Sequence, residues 1–170
     1  MDLKEILLDL NEENITKLYN TYKDTIFLFV LNMTKNYHMS EDITEEVFIR
    51  ILKYHDTYDR FKNPKTWIFT IARNAAYTYL KKNKDVSIED EKLEFLLNKH
   101  NSIKNDDSFL IEEYLVQLND IERNIVILHV FGGLTHLEIS KILDMKYSHV
   151  RARYNYALKK LRKKLKGEKE

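Results

Sequence analysis

The chain has 170 residues, enough for one domain or two small ones, and its 44% hydrophobic and 32% charged residues indicate a soluble globular protein. Only 3 glycines and 1 proline are present, which favours an all-α fold, and the lack of cysteine excludes disulfides, thiolate catalysis and cysteine-based zinc sites. The net charge of +1 hides two basic blocks, because residues 61–84 carry 6 basic and no acidic side chains and residues 141–170 carry 11 basic and 3 acidic ones.

The first predicted domain covers residues 1–83 and is helical. Met1–Leu10 alternates acidic and apolar residues, so we expect no signal peptide and a cytoplasmic location. The longest apolar run, Ile26–Leu31, is typical of a buried helix and too short to span a bilayer. Ser40 is predicted to cap a further helix that ends near His55.

The last helix of this domain is predicted over Thr66–Lys82, after a loop at Asp59–Lys65 whose Pro64 can open the helix. Its polar face is formed by Thr66, Thr70, Arg73, Asn74, Tyr77 and Lys81, with Trp67 at the edge. Cations, small hydrogen-bonding groups and an aromatic ring together suit separated single-stranded bases. Aromatic residues at helical spacing more often belong to a core, so this helix alone does not decide between the two interpretations.

Residues 84–107 are acidic and polar and are predicted to be a flexible linker, and residues 108–170 form a second helical domain. A helix is expected over Phe109–Leu118. Asn119, with Glu122 three residues later, is expected to cap the next helix, which ends at a pair of glycines.

Residues 135–165 have the local pattern of a helix-turn-helix. The T-x-x-E capping box at Thr135–Glu138 opens a short helix, Asp144–Tyr147 forms a tight turn, and Ser148 is predicted to cap a last helix. One arc of that helix is apolar, with Val150, Tyr154, Ala157, Leu158, Leu161 and Leu165. The opposite arc carries Ala152, Asn155, Tyr156, Lys159, Lys163 and Lys166, flanked by His149, Arg151 and Arg162. Arginine and asparagine can bond guanine and adenine in the major groove, and the lysines can contact phosphate, although an ordinary amphipathic surface helix has the same pattern.

Two parts of the chain resemble the extracytoplasmic-function (ECF) sigma factors of RNA polymerase, which retain only regions 2 and 4. SEDITEEVFIRIL is similar to the D-x-x-Q-E-x-F motif of region 2, and TWIFTIARNAAYTYLKK is similar to its W-L-x-x-I-A-x-N helix. LNDIERNIVILHVFGGLTHLEISKIL and YSHVRARYNYALKKLRKKL resemble region 4, with its E-I-A-x-x-L and V-(R/K)-x-R-x-x-R-A-x-x-x-L patterns. The resemblance covers nearly all of the chain except the linker. It implies a region 2 helical bundle and a region 4 helix-turn-helix.

The resemblance also implies a function and a set of sites. The chain would bind the RNA polymerase core, recognise the −10 and −35 promoter elements, start transcription of a specific regulon and be controlled by an anti-sigma factor. Contact with the β′ clamp helices of the core is implied for Asp42, Glu45, Glu46 and Phe48, and a second contact with the core at its β flap is expected. The −10 element is expected to meet Asp59, Arg60, Phe61, Lys62, Asn63, Lys65, Trp67, Thr70, Arg73, Asn74, Tyr77 and Lys81. The −35 element is expected to meet Ser148, His149, Arg151, Ala152, Arg153, Asn155, Tyr156 and Lys159.

Four positions depart from the family pattern. Glu45 stands where glutamine is usual, Ser140 replaces an alanine, and Asn119 replaces a common proline at a helix start that suits either residue. Tyr156 replaces a frequent arginine, so the −35 sequence that the chain reads is left open.

Other functions have less support in the sequence. The six histidines form no H-E-x-x-H pair and no glycine-rich phosphate loop is present, so we expect no catalysis, cofactor, metal site or small-molecule substrate, and no membrane insertion. A transcription regulator that binds duplex DNA through residues 135–165 and dimerises or senses through its N-terminal domain is the main alternative. A decoy protein that only binds the polymerase clamp is the other.

Overall fold

A computed structural model of the chain describes residues 2–60, 62–83 and 114–167. The helices are α1 (Leu3–Leu8), α2 (Glu12–Thr34), α3 (Tyr37–Tyr54), α4 (Pro64–Lys82), α5 (Asp120–Val126), α6 (His136–Leu143) and α7 (Tyr147–Leu165). A 3-10 turn at His55–Thr57 follows α3, and a π-helical segment at Ile127–Phe131 continues α5. Every regular element within the described ranges is helical, which confirms the predicted all-α fold.

The three long helices of the N-terminal bundle (residues 2–83) each begin at an asparagine. The side-chain oxygens of Asn11, Asn36 and Asn63 accept hydrogen bonds of 2.9–3.0 Å from backbone N–H groups in the first turn, which would otherwise lack partners. Pro64 occupies the first turn of α4, as predicted, because its missing N–H is not needed there.

The prediction that Ser40 caps α3 is wrong. The helix begins three residues earlier at Tyr37, and Ser40 is fully buried within it. Its hydroxyl donates to the carbonyl oxygen of Asn36 at 2.6 Å and lies 2.7 Å from the hydroxyl of Thr34, so the group is satisfied inside the bundle.

The core of the N-terminal bundle lies where α2, α3 and α4 meet. Phe29 and Phe69 are fully buried and pack edge to face with their ring centroids 6.1 Å apart. Ile26, Ile43 and Ile68 are equally buried around them. Each such side chain contributes about 1.5–3 kcal/mol by leaving water, so this core fixes how the exposed faces of α3 and α4 are presented.

The C-terminal bundle (residues 114–167) is built from α5, the π-helical segment, α6 and α7. The predicted cap at Asn119 and the predicted capping box at Thr135 are both present. Each forms a full box, with Glu122 and Glu138 respectively, in which two backbone N–H groups donate to side-chain oxygens. The predicted Ser148 cap is wrong, because α7 begins at Tyr147 and makes no side-chain cap hydrogen bond.

The two bundles pack against each other. Helix α4 lies against α6, and α2 lies against α5 and the π-helical segment. Their buried apolar side chains form one continuous cluster. The predicted linker at 84–107 and most of the predicted helix at 109–118 lie outside the described residues. No helix among the described residues is long and apolar enough to cross a membrane.

Candidate nucleic-acid interfaces

Helix α7 presents the predicted −35 residues to solvent. All eight are exposed: Ser148, His149, Arg151, Ala152, Arg153, Asn155, Tyr156 and Lys159. On the opposite side, Val150 and Ala157 are fully buried, as the apolar arc predicted. Leu165 was predicted on that arc too, but it is 66% exposed because α7 ends there, beyond the body of the bundle.

Two sets of contacts fix α7 on the bundle. Lys160 donates to the carboxylate of Glu122 at 2.8 Å, and the Glu122 side chain is completely buried. The rings of His129, His136 and Tyr154 meet with each pair of centroids 4.7 Å apart, which joins the π-helical segment, α6 and α7. The exposed face of α7 is therefore held in one orientation, as reading bases by hydrogen bonds requires.

The His136 ring has an unusual environment. Its Nε2 atom is buried and has no hydrogen-bond partner, whereas Nδ1 of His129 lies 2.7 Å from the carbonyl oxygen of Leu134. Burial lowers the pKa of His136, and the neighbouring His129 and Arg151 lower it further. The neutral imidazole is therefore the form that fits this cluster.

Helix α4 carries the predicted −10 face. Asn74, Tyr77 and Lys81 are exposed along it, and the guanidinium of Arg73 lies 5.2 Å from the centroid of the Tyr77 ring. Thr70 is half-buried and its hydroxyl donates to the carbonyl oxygen of Thr66, within the same helix. An arginine beside an exposed ring is a suitable surface for stacking an unpaired base.

The loop before α4 is partly ordered by its own hydrogen bonds. The N–H of Lys62 donates to the carbonyl oxygen of Asp59 at 2.8 Å, and the hydroxyl of Tyr58 donates to the carbonyl oxygen of Lys62 at 2.7 Å. Trp67 is half-buried, with its ring centroid 5.3 Å from that of Tyr58. Asp59, Arg60 and Lys62 are exposed, whereas Phe61 lies outside the described residues.

The C-terminal bundle covers part of this −10 face. Asn63 Nδ2 donates to Glu138 Oε1 at 2.6 Å, and Lys65 Nζ donates to the carbonyl oxygen of Gly133 at 3.2 Å. Arg73 Nη1 donates to the carbonyl oxygen of Ile142 at 2.8 Å, while its Nε atom is buried without an acceptor. Three of the predicted −10 residues are thus engaged by the C-terminal bundle.

Gly133 makes one of these contacts possible. A Cβ atom at this position would lie 2.8 Å from Nζ of Lys65, and the residue has a positive φ of 63°. Both facts favour glycine, so the pair of glycines that ends the preceding helix also shapes the contact between the bundles.

The acidic part of α3 lies elsewhere on the N-terminal bundle. Asp42 and Glu45 are exposed, whereas Glu46 is half-buried and accepts a hydrogen bond from Arg50 at 2.8 Å. Phe48 is only 9% exposed, and its ring centroid lies 4.8 Å from that of Tyr19. Phe48 also borders an apolar groove between α2 and α3, together with Ile15, Thr16, Leu18, Tyr19, Ile51 and Leu52.

The sequence did not reveal the polar residues that join α2 to α5. Asn32, Lys35, Asp120 and Arg123 form a hydrogen-bonded set between the two bundles. Burial alone would raise the pKa of Asp120, but Lys35 and Arg123 hold it below its ordinary value. The signal available in the sequence was a lone asparagine in the otherwise apolar stretch 26–33.

Comparison with known proteins supports both halves of the resemblance. Residues 18–86 match the family profile for Sigma-70 region 2, and residues 114–163 match that for Sigma-70 region 4. The chain is 28% identical over 162 residues to the ECF RNA polymerase sigma factor SigX of Bacillus subtilis, covering 89% of this chain and 84% of SigX. It is 29% identical over 144 residues to SigM of the same organism, covering 81% of this chain and 86% of SigM.

The chain belongs to the ECF sigma factors. As a sigma factor it binds the RNA polymerase core, recognises promoter elements and starts transcription. The N-terminal bundle is region 2 and the C-terminal bundle is region 4.

Solved structures of sigma factors share the fold. The sigma factor RpoE of Bartonella quintana, in complex with the anti-sigma factor NepR, aligns with a TM-score of 0.67 at 18% identity, over 92% of this chain and 99% of RpoE. CnrH, in complex with the cytosolic domain of CnrY, aligns with a TM-score of 0.63 at 15% identity, over 98% of this chain and 97% of CnrH. Both alignments extend over region 2 and region 4.

Proposed function

We propose that the sigma factor divides promoter recognition among three surfaces. Residues 1–83 dock on the core polymerase and hold the −10 element, residues 108–170 read the −35 element, and residues 84–107 connect them. The observation that carries this proposal is the orientation of α7, whose eight predicted −35 residues are all exposed while its opposite face is packed.

The −35 contact divides into base recognition and phosphate binding. Arg151 and Asn155 are exposed on the central turns of α7, where a major-groove helix meets base edges. The guanidinium of Arg151 lies 5.7 Å from the centroid of the Tyr147 ring, which limits its freedom before it meets DNA. Lys159 lies nearer the end of the helix and would contact the phosphate backbone.

The −10 contact uses stacking and cations. Tyr77 is exposed on α4 with the half-buried guanidinium of Arg73 beside its ring, and Lys62 and Lys81 lie in the loop before the helix and near its end. Stacking on an aromatic ring contributes about 1–3 kcal/mol per base, which is enough to help keep a melted strand apart from its complement.

The clamp contact combines charge with an apolar anchor. Asp42 and Glu45 project from α3 into solvent, and the groove bordered by Phe48 and Tyr19 opens beside the same helix. A basic helix of the polymerase could place an apolar side chain in this groove and its cations against the carboxylates. The half-buried Glu46 would act mainly through Arg50, which it already binds.

Control by an anti-sigma factor is part of the proposal. The aligned RpoE was solved with the anti-sigma factor NepR bound, and its fold extends over both regions of this chain. We also propose that the protein is not an enzyme and acts in the cytoplasm, since the surfaces described above are suited to binding RNA polymerase and DNA.

Transcription in vitro with purified core polymerase and a library of promoter sequences tests the proposal. We expect transcripts only when both core and sigma factor are present, from promoters that share two separated sequence elements. Tight binding to duplex DNA without any association with the core would instead support a conventional transcription regulator. Association with the core without any promoter-dependent transcript would support a decoy.

A further inference from the structure

The exposed face of α7 carries an apolar patch at its centre. Ala152 and Tyr156 lie one turn apart on this face, and both are exposed, Tyr156 at 56%. Arg151, Asn155 and Lys159 surround them with polar and charged groups. The −35 face therefore offers apolar surface among the residues that are suited to hydrogen bonding.

The ring of Tyr156 is restrained by a cation that is itself held by the bundle. Lys160 Nζ lies 5.1 Å from the centroid of the Tyr156 ring. The same Nζ donates to Glu122 Oε2 at 2.8 Å, and the Glu122 side chain is completely buried. That oxygen also accepts from the backbone N–H of Asn119, in the capping box of α5. Because a cation attracts the face of an aromatic ring, these contacts limit where the ring of Tyr156 can lie.

Helix α7 has a second pair of this kind, and the two pairs differ in the group that is left for DNA. The guanidinium of Arg151 lies 5.7 Å from the centroid of the Tyr147 ring, and Arg151 is exposed, so its donors can reach a base. In the other pair the ammonium of Lys160 is bonded to Glu122. The Lys160 side chain is 35% exposed and Tyr156 is 56% exposed, so the ring is the member presented to DNA.

The chemistry of the major groove determines what such a ring can recognise. The base edges there present hydrogen-bond donors and acceptors, and the one apolar group among them is the 5-methyl group of thymine. A ring placed against the polar edges would remove them from water without bonding them, which costs free energy, whereas contact with a methyl group buries apolar area on both sides. Unlike the arginine that is frequent at this position of the family, a neutral ring does not neutralise phosphate.

We propose that Tyr156 gives the sigma factor a preference for thymine at one base pair of the −35 element, by contact of its ring with the 5-methyl group. Ala152 completes the apolar surface, and Lys160 is a positioning residue that holds the ring. The proposal rests on the −35 role proposed above for α7.

Removal of single methyl groups from the promoter tests the contact. The probe is the promoter that gives the most transcript in the library described above, with each thymine of its −35 element replaced singly by deoxyuridine, which lacks only the 5-methyl group. With full-length sigma factor on core polymerase, we expect one replacement to weaken binding about fourfold in a competition assay. Tyr156→Ala should bind that pair of promoters equally, and Tyr156→Phe should keep the fourfold difference because it keeps the ring.

The same measurement can contradict the proposal in three ways. A −35 element in which no methyl group matters would overturn it, and so would an equal loss in the unaltered protein and in Tyr156→Ala. Loss of the discrimination in Tyr156→Phe would assign the contact to the hydroxyl group instead of the ring. Tyr156 is exposed, so neither substitution should disturb the fold.

The role of Lys160 is tested by the ratio of the two affinities, for the thymine promoter and for the deoxyuridine promoter. Lys160→Met removes the cation and should lower the ratio from about four towards about two, whereas Lys160→Arg should restore it. Lys163→Met removes an exposed cation of the same helix and should weaken binding to both promoters equally, which leaves the ratio unchanged. If Lys160→Met loses helix content, Lys160→Gln, which can still donate to Glu122, decides the result. An unchanged ratio in the folded variant would remove Lys160 from the proposal.

The outcomes separate this proposal from the proposed function. Selected promoters that share no −35 element would refute the −35 role of α7, and the proposal for Tyr156 with it. A shared −35 element whose thymine preference persists in Tyr156→Ala would refute the proposal for Tyr156 alone. Methyl discrimination confined to proteins with a ring at position 156 would support both.

Discussion

The −35 face and the −10 face are both predicted DNA-binding surfaces on single helices, but only the first is open. Helix α7 exposes all of its predicted contacts, whereas α4 has Arg73 bonded to Ile142 of region 4 and the preceding loop has Asn63 bonded to Glu138. The difference indicates that a helix pattern can identify a binding face without revealing whether the face is available. Availability depends on how the two regions meet.

The largest expected effect concerns Arg123 of region 4, which also bonds to Asn32 of region 2. Its guanidinium is buried and donates to Leu115, Leu118, Asn32 and Asp120. Arg123→Ala should lower the free energy of unfolding by about 3–5 kcal/mol, because buried acceptors lose their donor. Urea denaturation followed by circular dichroism measures this loss. Arg162→Ala, at an exposed position on α7, should change stability by less than about 0.5 kcal/mol, and equal losses in the two variants would contradict the role of Arg123.

A substitution at Asp42 tests the proposed clamp contact on α3, which lies away from the interface between the regions. Asp42→Arg should weaken binding to core polymerase by about 2–4 kcal/mol, because a cation would then face the basic surface that we propose on the clamp. Asp56→Arg makes the same change in charge at an exposed site outside the motif, and it should bind the core normally. Fluorescence anisotropy with labelled sigma factor measures both affinities. If the two variants bind the core equally, the clamp contact does not lie at Asp42.

Arg151 tests whether the open face reads bases. Arg151→Ala should cost about 1–3 kcal/mol in binding to the cognate promoter and should relax the preference at one base pair of the −35 element. Binding of the polymerase holoenzyme to single-base variants of the promoter measures this. A uniform loss across all sequences would instead identify Arg151 as a phosphate contact, and Lys163→Ala supplies a matched exposed cation for comparison.

The smallest expected effect is the contribution of His136, in region 4, to the pH dependence of stability. Because the pKa of His136 is lowered in the folded state by burial, and further by His129 and Arg151, the folded chain binds fewer protons than the unfolded chain near the ordinary histidine pKa of about 6.5. Stability from this group is therefore present above that pH and decreases as the pH falls through it. Urea denaturation between about pH 7.5 and 5.5 should show a shallower decline for His136→Phe than for the unaltered chain. His38→Ala, on region 2, should keep the full decline, and identical slopes in all three proteins would exclude His136 as the source.

The sequence predicted those parts of the structure that local spacing determines. The capping boxes at Asn119 and Thr135 and the exposed arc of α7 depend on residues within a few positions of one another. The two predicted serine caps were wrong. Asn36, four residues before Ser40, caps α3 instead. Ser148 lies inside α7, which begins without a side-chain cap.

The contact between the regions could not be predicted from local patterns. Asn32 and Asp120 lie 88 positions apart, and no spacing rule connects them. The resemblance to sigma factors supplied the roles of α3, α4 and α7, but it did not indicate that Lys65 would meet the carbonyl oxygen of Gly133. Long-range packing determined which predicted residues are covered.

The most direct test of promoter recognition by α4 and α7 is to map the −10 and −35 contacts on one promoter, with and without core polymerase. Permanganate reactivity of thymines reports melting near −10, and protection from nuclease digestion reports duplex binding near −35. We expect the two signals together only when sigma factor and core are both present, because Asn63, Lys65 and Arg73 of the −10 face are bonded to region 4 in the free chain. Strong protection of duplex DNA by the sigma factor alone, with no melting when the core is added, would contradict the mechanism.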